Sequence, residues 1–367
     1  MISRLRGLCF FLLIMLACVG AWAEDDYSLL DTRTYDVVNR YEIRNTSNYQ
    51  VTDVKVKVCI GTNTEVKATD PPAVNDSLYQ RKIRYRMSPR PSTMTTDALG
   101  NTFGEFSVGR LDPGAKVSIT IEKFVKNSGF KLSKGAYAKT GSFDEFLATK
   151  FNQQFVKPSA HIESDAEAIK NAAAPYAALT DKPISERVWL LYQAINTYLS
   201  YDENPQYAHK GALNALNTRR GVCTEFSGLF VAFCRAMGIP ARVVNGYWVR
   251  KRDLALNNAV DVHGDRHAWP EYYLPTVGWI PAEPTMICTM NGTRVPNADY
   301  FASIPLTDRH FIWGYGLEVE SMTGVSFSYR VMRLEGDNDE GGDPLQGQIA
   351  EESVKQVADD DLPPQAK

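Results

Sequence analysis

The sequence predicts an α+β protein built in two parts, a small all-β sandwich followed by a domain whose helices precede an antiparallel sheet. Up to about residue 125, short stretches alternate apolar and polar side chains, which is the period of a half-buried strand. After residue 160, helical periods come first and strand-like stretches follow. The 367 residues are enough for two domains, each with a core of its own.

Composition and charge restrict the class of protein. The chain is 44% hydrophobic, 11% aromatic and 23% charged, which is typical of a globular protein and not of a fibrous or mostly disordered one. The formal net charge of -3 gives no reason to expect a nucleic-acid partner. Residues 335–367 carry ten acids against two lysines and few large apolar groups, so we expect an acidic, disordered tail.

The first 23 residues have the pattern of a signal peptide. Arg4 and Arg6 precede an apolar core over residues 8–19, and the segment ends in a small-x-small cleavage motif. An uncleaved membrane anchor is the alternative, but the apolar run is shorter than the roughly 20 residues that a spanning helix needs. Lipoprotein anchoring at Cys18 is a weaker alternative. We therefore expect a periplasmic or secreted protein without an integral membrane segment.

Four cysteines remain after cleavage: Cys59, Cys223, Cys234 and Cys288. In an exported protein they are compatible with two disulfides, or with one working thiol and three others, and their spacing leaves both alternatives open. The chain has no CxxC pair, no His/Cys pattern for zinc and no EF-hand loop, so we expect neither a metal nor another cofactor.

Strand patterns in the first part predict a sandwich over residues 27–125. The evidence is a set of strand segments, 35–43, 51–59, 105–108 and 116–122, separated by turns at 45–48 and 111–114. This region has no catalytic cluster. We interpret it as a structural or docking module, with an envelope protein as its expected partner.

A polar linker over residues 126–159 leads into a second domain over residues 160–334. Its predicted helices cover residues 165–174, 185–199 and the segment from Cys223 to Gly238, where Gly and Pro240 end the helix. Strand-like segments follow at 242–249, 267–274, 278–281 and 324–332.

Cys223 is the predicted nucleophile because of its position in the chain. It follows Gly221 and Val222 at the start of an apolar helix, where unpaired backbone N–H groups favour a thiolate and can stabilise an oxyanion. Cys234, three turns further along, is surrounded by large apolar residues and is interpreted as core.

His267 is the predicted base and acid. Acyl transfer by a thiol needs a group that holds the thiolate and later protonates the leaving amine. Strand alternation places His267, Trp269 and Glu271 on one face. The other histidines are assigned elsewhere: His161 and His209 to solvated loops, His263 to a surface loop and His310 to a structural place in a strand.

Glu283 is the predicted third member, which orients the imidazole and stabilises its charged form. It lies where a following strand would run beside the strand of His267. Glu271 is the second choice for this role and Asp265 the third.

These residues stand in blocks that resemble the transglutaminase-like superfamily of papain-like thiol enzymes. The blocks are Gly221-Val-Cys with a helix ending in Gly238-Ile-Pro-Ala-Arg, His267-Ala-Trp-Pro-Glu, and Gly278-Trp-Ile-Pro-Ala-Glu-Pro-Thr. The resemblance covers residues 160–330, and the upstream region looks like the immunoglobulin-like domain of bacterial exported members. It implies a papain-like core with Cys223, His267 and Glu283 as the triad.

One residue departs from the pattern of the family. The family usually has Asp where this chain has Glu283, which is one methylene longer. Tyr201 matches a frequent family tyrosine and is interpreted as a packing residue.

The chemistry that this site implies is attack on a carboxamide and formation of a thioester. Water as second substrate makes a cysteine protease or amidase, which is the preferred reading, with a peptide or protein as substrate. An amine as second substrate makes a protein-glutamine transglutaminase. A non-catalytic binding or scaffold module is the third reading.

Overall fold

The computed structural model describes residues 26–62, 75–254, 256–290, 293–317 and 325–333. The predicted signal peptide and the acidic tail, residues 1–23 and 335–367, lie outside the described residues. Within the described ranges, no helix has both the length and the apolar character needed to cross a bilayer.

Strands and helices are numbered in chain order. The strands are β1 Tyr27–Arg44, β2 Val51–Thr62, β3 Gln80–Ser88, β4 Thr93–Thr96, β5 Asn101–Leu111, β6 Lys116–Leu132, β7 Ser200–Tyr201, β8 Arg220–Gly221, β9 Ala241–Arg250, β10 Val260–Asp261, β11 Arg266–Leu274, β12 Gly278–Pro281, β13 Ile287–Met290, β14 Thr293–Pro296, β15 Ser303–Ile304, β16 Asp308–Tyr315 and β17 Val325–Arg333. The helices are α1 Lys134–Tyr137, α2 Asp144–Leu147, α3 Glu167–Ala177, α4 Ile184–Tyr198, α5 Ala212–Thr218 and α6 Cys223–Ala236.

The predicted α+β class is confirmed, with a β-rich region at the N-terminus. Two sheets form this region. One runs β10-β17-β1-β6, with β3 and β15 both pairing the far edge of β6, and the other runs β2-β5-β4. Alternate side chains of the two sheets meet in a shared apolar core of Tyr41, Ile43, Val56, Val58, Ile60, Phe106, Ile119 and Ile121. The apolar residues of the period-2 pattern in the sequence therefore form the inner face of this region.

The large sheet is assembled from both ends of the chain. β17 pairs with β1 from Tyr35↔Arg333 to Ile43↔Val325, and β15 pairs with β6. The boundary drawn from the sequence at residue 125 falls inside β6, which continues to pair with β1 as far as Tyr27↔Leu132. The segment drawn as a linker over residues 126–159 contains α1 and α2 as well as the end of this strand.

A separate four-stranded sheet, β12-β11-β9-β16, is antiparallel and shares an apolar core with the helices α3, α4 and α6. Nearly every side chain of α6 is buried, which explains its uninterrupted apolar run. The helix ends where Gly238 adopts φ +75°, a conformation that favours glycine. The first residue of α6 therefore lies at the edge of a well-packed core.

Side-chain amides of the N-terminal region cover the outer edge of β16. Asn101 Nδ2 donates to Tyr315 O and its Oδ1 accepts from Tyr315 N, both at 2.7 Å. Gln80 makes the same pair of bonds with Ile312, at 3.0 and 2.9 Å, and Asn127 donates to His310 O at 2.8 Å. We call these three side chains the amide edge. They satisfy backbone groups that an additional strand would otherwise pair.

A buried ion pair ties the same two regions together behind β11. The guanidinium of Arg242 lies 2.7 Å from the Glu271 carboxylate, with side-chain exposures of 1% and 0%. Tyr79 donates to the other Glu271 oxygen at 2.8 Å, and Arg242 donates to Ser77 Oγ at 3.0 Å. Residues that precede β3 therefore take part in the core beside the β12-β11-β9-β16 sheet.

Candidate active site

Cys223 occupies the first position of α6 and is half-buried at the wall of a cleft of about 940 Å³. Glu225, two residues on, fixes this end of the helix. Its buried carboxylate accepts hydrogen bonds from Val222 N at 3.1 Å and Lys210 N at 2.7 Å. The sequence therefore places the thiol at a helix N-terminus, whose partial positive charge favours a thiolate.

Gly221 is required beside Glu225 for steric reasons. A Cβ at Gly221 would lie 2.3 Å from the Cβ of Glu225. The same carboxylate also bonds to the loop that carries His209, one wall of the cleft, because Lys210 N is one of its donors. One buried acid thus holds the thiol and a wall of the cleft in register.

His267 lies at the start of β11 and joins the thiol to the acid. Its Nε2 lies 2.5 Å from Glu283 Oε2. The side chain of Cys223 lies within interaction range of the imidazole and favours its charged form. Since Nε2 faces the carboxylate, Nδ1 is the ring nitrogen left for the sulfur. The ring stacks on Trp269 at 6.2 Å between centroids, so both lie on one face of β11 as alternation predicted.

Glu283 follows β12 and is held from several sides. Its Oε1 accepts a hydrogen bond from Thr285 N at 3.1 Å and another from Thr285 Oγ1. Its backbone N–H donates to Tyr300 O at 2.9 Å. The longer side chain is thus accommodated, and the carboxylate reaches the imidazole despite the extra methylene.

Electrostatics favour a charged imidazole beside a charged carboxylate. Burial disfavours the imidazolium, but the Glu283 charge and the hydrogen bonds that the ring donates to Cys223 and Glu283 outweigh it and raise the pKa of His267 to about 10. Burial likewise disfavours the carboxylate, but the charge and hydrogen bond of His267, with a smaller effect of His310, lower the pKa of Glu283 to about 2. The pair is therefore ionised around neutral pH.

This pair predicts a specific dependence of stability on pH. The raised pKa of His267 stabilises the fold fully below its ordinary 6.5, and the effect is lost as pH rises through about 10. The lowered pKa of Glu283 stabilises the fold above 4.5, and the effect is lost as pH falls towards about 2. We expect the difference in melting temperature between the wild type and Glu283→Gln to be largest between pH 4.5 and 6.5. Melting curves from pH 3 to 10 measure it, and a difference that is constant with pH would contradict the ion pair.

The two other acids proposed for the third position have different surroundings. Glu271 bonds to Arg242 and Tyr79 instead of the imidazole. Asp265 lies on the turn before β11, where burial, followed by the charges of Asp253 and Asp261, raises its pKa.

The two histidines assigned to solvated loops are exposed loop residues, and they also line the cleft. His161 and His209 are both wall residues, and His209 Nδ1 lies 3.3 Å from Thr224 Oγ1, next to the thiol. Both lie in loops that pack on the start of α6, and no local pattern in the sequence indicates this.

Tyr201 also borders the thiol. Its hydroxyl oxygen contacts the backbone N–H of Cys223, and burial, followed by the charges of Cys223 and Glu203, raises the pKa of Tyr201 to about 12. The phenol is therefore protonated at neutral pH and retains a hydrogen to donate beside the sulfur.

The four cysteines within the described residues are free thiols. Cys59 and Cys234 are buried, and Cys223 and Cys288 are partly exposed. Burial strongly raises the pKa of Cys234, as expected of the core residue that the sequence indicated. None of the disulfide pairings that the spacing left open is present.

A family comparison covers this site. Residues 170–284 match the model of the transglutaminase-like superfamily core, and the match includes Cys223, His267 and Glu283. Residues 170–284 therefore form a transglutaminase-like core domain. The resemblance noted in the sequence motifs is confirmed at this level.

Two curated relatives match this chain over stretches of different length. A protein-glutamine gamma-glutamyltransferase of Pseudomonas aeruginosa is 42% identical over 69 residues, which are 19% of this chain and 10% of that protein. An uncharacterised protein of Mycobacterium tuberculosis is 26% identical over 227 residues, which are 57% of this chain and 69% of that protein. This chain thus matches a tenth of the length of the Pseudomonas protein.

One solved structure is similar in fold to most of this chain. A Cytophaga hutchinsonii protein whose proposed assignment is cysteine protease superposes with a TM-score of 0.53 at 17% identity. The superposition covers 85% of this chain and 94% of that one. At this identity the likeness concerns the fold, and it includes the β-rich N-terminal region.

Proposed function

We propose that this protein is a thiol acyl-transfer enzyme that acts on carboxamide bonds, with Cys223 as nucleophile, His267 as acid and base, and Glu283 as the orienting acid. One observation carries the proposal. The imidazole of His267 contacts the Cys223 side chain and the Glu283 carboxylate together, at the wall of a cleft. The transglutaminase-like core domain supports it.

The first half-reaction forms a thioester. The Cys223 thiolate attacks the carbonyl carbon, and the π electrons move to the oxygen, which becomes an oxyanion. The protonated Tyr201 hydroxyl, whose oxygen accepts from the backbone N–H of Cys223, is the donor beside the sulfur that would stabilise it. When the C–N bond breaks, the imidazolium of His267 gives its proton to the leaving nitrogen, and an amine or ammonia departs.

The second half-reaction releases the acyl group. Neutral His267 accepts a proton from water or an amine as that molecule attacks the thioester carbon, and the sulfur leaves as thiolate. Glu283 stabilises the imidazolium that is present at the start of the first half-reaction and forms again in the second. These steps need no cofactor.

We favour hydrolysis of peptide or related amide bonds. The open cleft gives water access to the acyl-enzyme, and the Cytophaga protein with the same fold is proposed to be a protease. Amine transfer is the second candidate. The name of the Pseudomonas relative favours it, as does exposed Glu203 in the cleft wall, whose charge would attract an ammonium.

We also propose that the protein acts outside the cytoplasm, since its first 23 residues have the pattern of a signal peptide. A scaffold role with an envelope partner on the β-rich region is the non-catalytic alternative. A scaffold does not require a thiol in contact with a buried imidazole, so this contact favours the enzyme.

Alkylation of the thiols tests the proposal before any substrate is known. We expect iodoacetamide to label Cys223 rapidly at pH 6 to 7 and His267→Ala to slow the labelling at least about tenfold, because the imidazolium that stabilises the thiolate is gone. Peptide mass mapping identifies the labelled residue. Cys234 is the internal control, since it is buried and should not react in the folded protein. Equal labelling rates with and without His267 would contradict the proposed pair.

A further inference from the structure

His310 on β16 lies behind the proposed site and has no part in the chemistry described so far. Its side chain is 2% exposed, and its Nε2 lies 3.8 Å from Glu283 Oε2, the oxygen that also faces His267. The ring packs edge-on against Trp269, with centroids 4.7 Å apart. Glu283 Oε2 thus lies between two imidazoles, one on the side of the thiol and one on the side of the core.

The position of His310 is fixed independently of Glu283. Its backbone pairs with Trp248 of β9, and its carbonyl accepts the Asn127 hydrogen bond of the amide edge. A distance of 3.8 Å is longer than a direct hydrogen bond, but the carboxylate is nearly buried, so an N–H dipole at this range has a substantial effect on it. The groups whose charge acts on His310 are Glu283, His267 and Asp308.

The environment selects one protonation state of this imidazole. Nδ1 is buried and has no hydrogen-bond partner among the described residues. A buried N–H donor without a partner is costly, whereas an unprotonated ring nitrogen is tolerated more easily. Burial also lowers the pKa of His310, against the opposing effect of Glu283. His310 is therefore neutral, with its one hydrogen on Nε2, towards Glu283.

We propose that His310 is a positioning residue of this site, which donates its Nε2 hydrogen towards Glu283 and so holds the carboxylate against His267. The idea rests on the proposed function. It also gives a reason for glutamate at position 283, since the buried carboxylate lies within reach of both imidazoles. Without the second imidazole, the carboxylate oxygen would have an unfilled side towards the core.

Two variants of His310 separate positioning from packing. His310→Phe keeps a ring against Trp269 but removes the donor, whereas His310→Gln places an amide N–H near the position of Nε2. We expect iodoacetamide to label Cys223 about tenfold more slowly in His310→Phe than in the wild type at pH 6. The midpoint of the rate–pH profile should also move to higher pH, because a less well-held Glu283 stabilises the imidazolium less. His310→Gln should recover most of the rate. On a turnover assay, kcat should fall in His310→Phe while KM stays unchanged.

The outcomes are distinct. A His310→Phe profile that matches the wild type would overturn the proposal, as would an equal loss in both variants when their melting temperatures equal that of the wild type. If His310→Phe does not fold, nitrogen-15 NMR of labelled histidine in the wild type decides. The Nε2–H tautomer from pH 5 to 9 supports the proposal, and the Nδ1–H tautomer overturns it. If the labelling rate depends on His267 but not on His310, the positioning role of His310 is refuted and the proposed function stands. If the labelling rate does not depend on His267, the proposed function itself is refuted.

Discussion

Cys223→Ala is expected to abolish acyl transfer, and His267→Ala to reduce it by about 10²–10⁴-fold, the range that a positioned acid–base group supplies. The alanine at 223 leaves no atom to form the thioester. The change at 267 leaves the thiol in place but removes both the counterion of the thiolate and the donor for the leaving nitrogen. Turnover is measured as release of peptides or ammonia from a protein substrate, and as incorporation of a fluorescent primary amine into it.

Cys288→Ser is the matched control for this experiment. It removes a partly exposed thiol on β13 that has no contact with the imidazole, and it should keep the full rate. The two assays also choose between the candidate reactions, because water and the amine compete for one acyl-enzyme. Activity that survives Cys223→Ala would leave only the scaffold role for this site.

Arg242→Ala is expected to have the largest effect on stability, about 3–5 kcal/mol, which is the cost of leaving one partner of a buried ion pair alone. Glu271 would keep a buried charge, with Tyr79 as its remaining hydrogen-bond donor among the described side chains. The guanidinium also stacks on Trp279 and Tyr315, at 4.1 and 3.8 Å from the ring centroids, so packing is lost as well. Urea or thermal unfolding measures the change.

A second substitution separates the charge from the packing. Arg242→Met with Glu271→Gln removes both charges and keeps most of the volume, and it should recover much of the loss, because buried pairs contribute little beyond their own desolvation. A loss below about 1 kcal/mol for Arg242→Ala would mean that water reaches Glu271, contrary to its complete burial.

Local patterns in the sequence were sufficient for the elements around the site. The helix predicted from Cys223 to Gly238 is observed as α6, Cys223–Ala236, and the strand predicted from His267 to Leu274 as β11, Arg266–Leu274. Both predictions rest on side-chain period and on glycine and proline signals, which act within a few residues. The contact of His267 with Glu283 followed from an antiparallel turn between β11 and β12, which is also local.

Long-range pairing was beyond these patterns. Nothing in the period of β17 indicates that it pairs with β1 at the other end of the chain. β3 was missed although residues 82–88 alternate polar and apolar side chains. Glu271 shares a face of β11 with Trp269, as alternation predicted, because both side chains bond to Tyr79. Its ion-pair partner, however, is Arg242 on the neighbouring strand. Partners of buried polar groups are fixed by tertiary packing, which a single sequence does not reveal.

The amide edge has a consequence for the evolution and engineering of this protein. A shortened protein that starts after residue 159 would retain the thiol, the imidazole and the acid, yet β16 would carry unpaired N–H and C=O groups at Ile312 and Tyr315. An open strand edge of this kind is a template for pairing between copies, so such a fragment should self-associate. Replacing Gln80, Asn101 and Asn127 by other residues would have the same effect without any deletion. A protein that evolved without residues 1–159 would therefore need other groups to pair with the outer edge of β16.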